Sequence, residues 1–164
     1  MINQIIIADS SPLISLAIIE QLELLPRLYQ RVLLPPAVWN EVTVQGLGLP
    51  GAEAVSQVKW LEIEAPLPML LEPLLILVDP GEAEAIALAK STPNPIVLLD
   101  DAQARRIAER LGIPRIGTLG ILRRAKKAGL IAEMKGYIEQ LRNNGIYIRS
   151  SIIEAVLRDV GEIN

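Results

Sequence analysis

Short, almost wholly apolar runs alternate along this chain with segments whose apolar residues recur every three or four positions. Gln4–Ala8 is an Ile-rich run of strand length, and Asp9-Ser10-Ser11-Pro12 stops it. Ser11 is placed as an N-cap, with Pro12 at the first helical position, and the helix is expected to run to about Leu25, where Pro26 ends it. Arg31–Leu34 reads as a second strand, and Pro35-Pro36 opens a helix carrying Val38, Glu41 and Val42. Gly46, Gly48, Pro50 and Gly51 mark a loop. Val58–Ile63 is a weaker strand pattern, and Pro66–Pro73 allows one or two helical turns.

The second half is clearer. Asp79-Pro80-Gly81-Glu82 opens a helix to about Lys90, and Ile96–Leu99 is a buried strand ending at Asp100-Asp101. The next helix has a stripe of Ala104, Ile107, Ala108 and Leu111 and closes at Gly112. Helices follow over Thr118–Ala128 and through Met134, Tyr137, Ile138 and Leu141, the latter closed by Asn144-Gly145. Ile146–Ile148 is a possible strand, and Ser151 with Glu154 spells a capping box for a last helix through Val160. Strands alternating with helices imply right-handed crossovers and a mainly parallel sheet covered on both faces. Sites in such folds form beyond the carboxyl ends of the strands, and both strong strands end there in aspartate.

Composition narrows the chemistry. At 164 residues and 51% apolar, one domain over 1–164 is expected, with no tendency to disorder. The longest uncharged stretch, Val42–Ala52, is too short to cross a membrane, which takes roughly 20 apolar residues. No signal-peptide pattern precedes Asp9, so a cytoplasmic protein is expected. The chain has no cysteine and no histidine, which removes disulfides, thiolate and imidazole metal sites, thiol catalysis and any Ser-His-Asp triad. Phenylalanine is also absent, so stacking on an aromatic platform is not expected to dominate any nucleic-acid contact. Charge is asymmetric: residues 1–101 hold 4 Lys and Arg against 13 Asp and Glu, whereas residues 102–164 hold 12 against 6. An acidic half joined to a basic one suits a metal-binding carboxylate cluster beside a polyanion-binding surface, although charged faces of amphipathic helices produce the same count.

Asp79 and Glu82 have a structural explanation as a capping box around Pro80. Asp9, Glu41, Glu84 and Asp100 resist one. Asp9 follows a buried strand while Ser10 and Ser11 are available as caps, Glu84 sits amid Ala83, Ala85 and Ile86, and Asp101 is enough to cap the helix behind Asp100. Carboxylates gathered at one sheet edge repel unless a cation offsets them. Mg²⁺ or Mn²⁺ suits such an all-oxygen set and supports hydrolysis of a phosphodiester. A haloacid-dehalogenase-like phosphatase would need D-x-D where this chain has D-S-S, a receiver domain would need its acidic pair by the first strand, and G-x-G-x-x-G is absent.

Four stretches together resemble the PIN-domain nucleases: I-I-I-A-D-S-S-P-L-I at 5–14, P-P-A-V-W-N-E-V at 35–42, D-P-G-E-A-E-A-I-A-L-A at 79–89 and L-L-D-D-A-Q-A-R-R-I-A-E-R-L-G-I at 98–113. The likeness is nearest to prokaryotic PIN-like proteins close to the VapC-type toxins of toxin–antitoxin pairs, and G-T-L-G-I-L-R-R-A-K-K-A-G-L-I at 117–131 resembles the same group. The resemblance implies a three-layer α/β/α sandwich and cleavage of single-stranded RNA dependent on Mg²⁺ or Mn²⁺. It places the four acids at Asp9, Glu41, Glu84 (with Glu82 a close rival) and Asp100 (with Asp101 adjacent). The third is Glu where the commoner pattern has Asp. Ser11 is expected to orient Asp9, and Arg105, Arg123, Arg124, Lys126 and Lys127 to track phosphates. A cognate antitoxin is an expected partner. A homodimer is also expected, through the aliphatic helix Leu13–Leu25. A catalytically silent PIN-like binding module, held in a complex by a partner, is the alternative.

Overall fold

The computed structural model describes residues 2–164, with side chains from Asn3 onward. Its frame is one five-stranded sheet of β1 (Ile2–Ala8), β2 (Tyr29–Leu34), β3 (Leu61–Ile63), β4 (Pro95–Leu98) and β5 (Arg115–Ile116). The order is β3-β2-β1-β4-β5, and every neighbouring pair is parallel. Ile7 pairs with Leu33 on one side and Val97 on the other. The strand order reverses between β1 and β4, so a crevice opens beyond their carboxyl ends.

Side-chain alternation explains why the strands read as continuous apolar runs. Ile6, Ala8, Val32, Leu34, Ile96 and Leu98 enter one core, whereas Ile5, Ile7, Leu33, Val97 and Leu99 enter the other. Over the first core lie α1 (Ser10–Ile18), α2 (Leu24–Leu28), α4 (Ala52–Gln57), α8 (Thr118–Lys127), α9 (Lys135–Asn143) and α10 (Ser150–Asp159). The opposite core is closed by α6 (Pro80–Lys90) and α7 (Ala102–Arg110), with Leu74 from the segment after α5 (Pro68–Leu71). The chain is thus the expected three-layer sandwich. Between β2 and α4, α3 (Pro36–Trp39) runs into one turn of π-helix over Asn40–Gln45. No helix among the described residues is long and apolar enough to cross a membrane.

Several expected elements are revised. The helix after β1 starts at Ser10 with Asp9 as its N-cap, and it stops at Ile18, beyond which Glu20 takes a positive φ of 56°. Pro26 does not end it but sits in the first turn of α2, where its missing N–H costs nothing. Strand β5 escaped notice because only two residues pair. Ile146–Ile148 forms no strand, since the sheet edge beyond β4 is taken by β5. Neither capping box forms a side-chain cap: Arg149 is the N-cap of α10, and Asp79 occupies that place in α6. Leu111, counted in the apolar stripe of α7, is 40% exposed. The dimer face proposed on Leu13–Leu25 is also absent, because Leu13, Leu16, Leu22, Leu24 and Leu25 are all buried within this chain's own core. The helix looks aliphatic on every side because neighbouring helices cover it from several directions.

Candidate active site

Asp9 is carried into the crevice by β1 and is only 4% exposed, a rare position for a carboxylate. Burial pushes its pKa up to about 7. The Ser10 backbone amide works against that rise, and the charges of Glu41, Asp100 and Asp101 reinforce it. These three acids come from the π-turn and from the end of β4, so the fold brings them around Asp9 from separate stretches of sequence.

Each neighbour is fixed by a local device. Glu41 receives a short hydrogen bond from the Ser10 hydroxyl. It also lies directly over Gly81, where a Cβ would stand 2.7 Å from its Oε1. Asp100 lies just past β4 and accepts from Thr118 twice, from the backbone N–H at 2.8 Å and from the hydroxyl at 2.6 Å. Gly117 leaves room for it, since a Cβ there would come within 2.8 Å of Asp100 Oδ1. Asp101 caps α7 as expected, accepting the Ala104 N–H at 2.9 Å.

The two glutamates of α6, rivals for one place in the sequence pattern, stand in different surroundings. Glu82 makes no cap; half-buried in the first turn, its pKa is raised to about 7 by burial and then by Asp9, Asp101, Asp79 and Glu41. Glu84 instead accepts the Ala37 backbone N–H at 3.1 Å and so ties α6 to the start of α3, a donor that has no partner within its own helix. Two positions along a helix turn a side chain by about 200°, so these two cannot serve one spot. The charges of Glu41 and Asp101 thus act on both Asp9 and Glu82, with Asp100 acting on Asp9 and Asp79 on Glu82, whereas Glu84 is engaged by the Ala37 N–H. A cleft of about 340 Å³ reaches Asp79, Glu82 and Asp101, with Leu75, Ile76 and Leu77 on its other wall.

Ser11 is exposed and makes no side-chain hydrogen bond to Asp9 among the described residues; the adjacent Ser10 is the serine that acts, on Glu41. Thr118, Gly81 and Gly117 were also missed as site residues. The first signal for them lay in the quoted D-P-G-E and G-T-L-G stretches. Of the expected phosphate track, Arg124 donates to the Tyr29 hydroxyl at 2.8 Å and Lys126 pairs with Glu162 at 2.9 Å, so both serve the packing of α8. Arg123 and Lys127 share Asp159, at 2.5 and 3.2 Å. Arg105 stands beside Asp100, with Nη1 3.3 Å from where a Cβ on Gly117 would lie, and Arg123 and Arg124 line the same cavity as Asp100.

Among the described residues no three acids already stand as a formed cage for an ion. The donor chemistry nonetheless fits a hard divalent cation. It is all oxygen, and the charges acting on Asp9 are of one sign, which raises its pKa in the absence of a counterion.

A family model described as a PIN domain matches residues 5–162, almost the whole chain. No curated protein matches it.

Proposed function

This chain belongs to the PIN-domain family, whose members are typically nucleases; on that premise we propose that residues 1–164 form a single-domain, Mg²⁺- or Mn²⁺-dependent endoribonuclease. Its substrate is single-stranded RNA, and its role is the toxin of a toxin–antitoxin pair in the cytoplasm. The observation that carries the reading is buried Asp9 under the like charges of Glu41 from the π-turn and of Asp100 and Asp101 from the end of β4.

Asp9, Glu41, Glu82 and Asp100 would hold the cation, with Asp101 at the edge of the set. When bound, such an ion lowers the pKa of water and offsets charge on a phosphodiester. Ser10 orients Glu41, and Thr118 orients Asp100, so two of the four carboxylates are aimed before any ligand arrives. Arg105 supplies a positive charge next to Asp100 for a substrate phosphate. The exposed Leu75, Ile76 and Leu77, on the segment that borders the polar cleft at Glu82, support an apolar surface for an antitoxin.

One observation favours a second reading, a binding module without catalysis: no acidic cage is formed in advance among the described residues. Incubating the purified protein with single-stranded RNA and Mg²⁺ or Mn²⁺ separates the two. The nuclease reading expects cleavage that EDTA stops and that Asp9→Asn lowers at least 100-fold. Equal trace activity in both proteins would mean contamination and no enzyme.

A further inference from the structure

Asp100 also lines a cavity of about 730 Å³ that runs from it and Thr118 between α8 and the start of α10, within the range of about 300–1,000 Å³ usual for ligand clefts. Ile146, Ile148, Ile152 and Val156 give it an aliphatic lining. Five arginines line it, and three of them keep spare hydrogen-bonding capacity, since Arg123 is held by Asp159 and Arg124 by Tyr29 and Gln4. Arg105, beside Asp100, makes no side-chain hydrogen bond among the described residues, and neither does Arg149 at the N-cap of α10. Arg115 reaches Glu109 at 3.3 Å, yet its Nε is buried with no partner, an uncompensated donor. Tyr147, in the same wall, is 86% exposed.

A purely anionic small ligand would use the arginines but leave the aliphatic lining and the tyrosine ring unexplained. An apolar peptide would leave the arginines unexplained. A polynucleotide strand uses both, phosphates on guanidinium groups and bases on apolar and aromatic surface. We propose that this cavity seats the single-stranded nucleic acid on one side of the bond to be cut. Arg105 and Arg115 hold the phosphates nearest Asp100, and Arg149 and Tyr147 hold a phosphate and a base farther out. The inference rests on the nuclease reading and adds to it where the strand runs, along a cavity that Arg123 and Arg124 of α8 also line.

The test is equilibrium binding of a fluorescein-labelled single-stranded oligoribonucleotide to the whole protein carrying Asp9→Asn, with Mg²⁺ and in EDTA, over a range of salt. Arg105→Ala and Arg149→Ala should each weaken binding several-fold and flatten the logarithmic salt dependence by about one unit. Tyr147→Ala should weaken it roughly tenfold without changing that slope, and Tyr147→Phe should restore it. Arg27→Ala, on α2, should bind like the parent. No binding by the parent in either condition, variants that bind like the parent, or equal weakening by Arg27→Ala would each overturn the proposal. Cleavage by the wild-type chain alongside any of those results would sink this path and leave the nuclease reading intact. The expected binding pattern in a wild-type chain that never cleaves RNA would do the reverse.

Discussion

Gly81 is the floor on which the Glu41 carboxylate rests: a methyl group on that glycine would lie 2.7 Å from Oε1 and 2.9 Å from Oε2. The relation joins the first turn of α6 to the π-turn after α3, and so places Glu41 close to Glu82 and Asp9. Since the clashing atoms are the far end of a flexible side chain, Gly81→Ala should cost little stability, under about 1 kcal/mol, while moving the carboxylate. Metal-dependent cleavage should fall at least tenfold with the melting temperature nearly unchanged. Full activity in Gly81→Ala would show that Glu41 need not sit there.

Adjacent serines provide an internal control. Ser10 donates to Glu41 and Ser11 is exposed. Ser10→Ala should reduce cleavage and cation affinity roughly tenfold, in line with the loss of an outer-shell partner, and Ser11→Ala should leave both unchanged. Equal effects from the two, measured in parallel, would remove Ser10 from the site.

The two glutamates of α6 should separate activity from stability. Glu82→Gln is expected to abolish cleavage and leave the fold intact. Glu84→Ala should lower stability by about 0.5–2 kcal/mol by orphaning the Ala37 N–H, as loss of a helix cap does, and leave some cleavage. Denaturant melts beside cleavage rates decide it; the opposite pattern would return Glu84 to the site.

Proton release gives a pH signature. Asp9 and Glu82 are raised to about 7 from 3.8 and 4.5, so below neutral pH each holds a proton in the ion-free protein. Cation capture must expel those protons, and affinity should drop by up to about tenfold for each proton per pH unit below 7. For the ion-free protein the sign is opposite to that of a salt-bridged acid. The stabilisation from these raised values is complete below the unfolded values near 4 and is lost as pH rises through about 7. Calorimetry in buffers of different ionisation enthalpy should register net proton release at pH 6 and less at pH 8. No buffer dependence would contradict the raised values.

Much of this molecule was legible in the sequence because its strands are buried on both faces and its sites lie at strand ends. The runs Gln4–Ala8 and Ile96–Leu99 announced the sheet, and the aspartates after them announced the crevice. What the pattern left open were choices between neighbours. Glu82 looks like a cap and Glu84 like a buried acid, but which of the two enters the crevice depends on how α6 packs against α3, a long-range fact. Ser10 and Ser11 differ by one position and therefore by about 100° around α1. The basic stretch at Arg123–Lys127 reads as an open binding face, and only the fold shows Asp159 and Glu162, more than 30 residues on, pairing with Arg123, Lys126 and Lys127. Leu13–Leu25 erred the same way, since only the tertiary packing shows how much of its aliphatic surface is already covered.

Whether acids from distant parts of the chain share one cation is decided by Mn²⁺ titration of the purified protein followed by electron paramagnetic resonance. At neutral pH the account predicts saturable, stoichiometric loss of the free Mn²⁺ signal in the wild type, weakened at least tenfold by Asp9→Asn and by Glu82→Gln but not by Glu84→Gln. Weak, unsaturable uptake that is the same in all four proteins would contradict it.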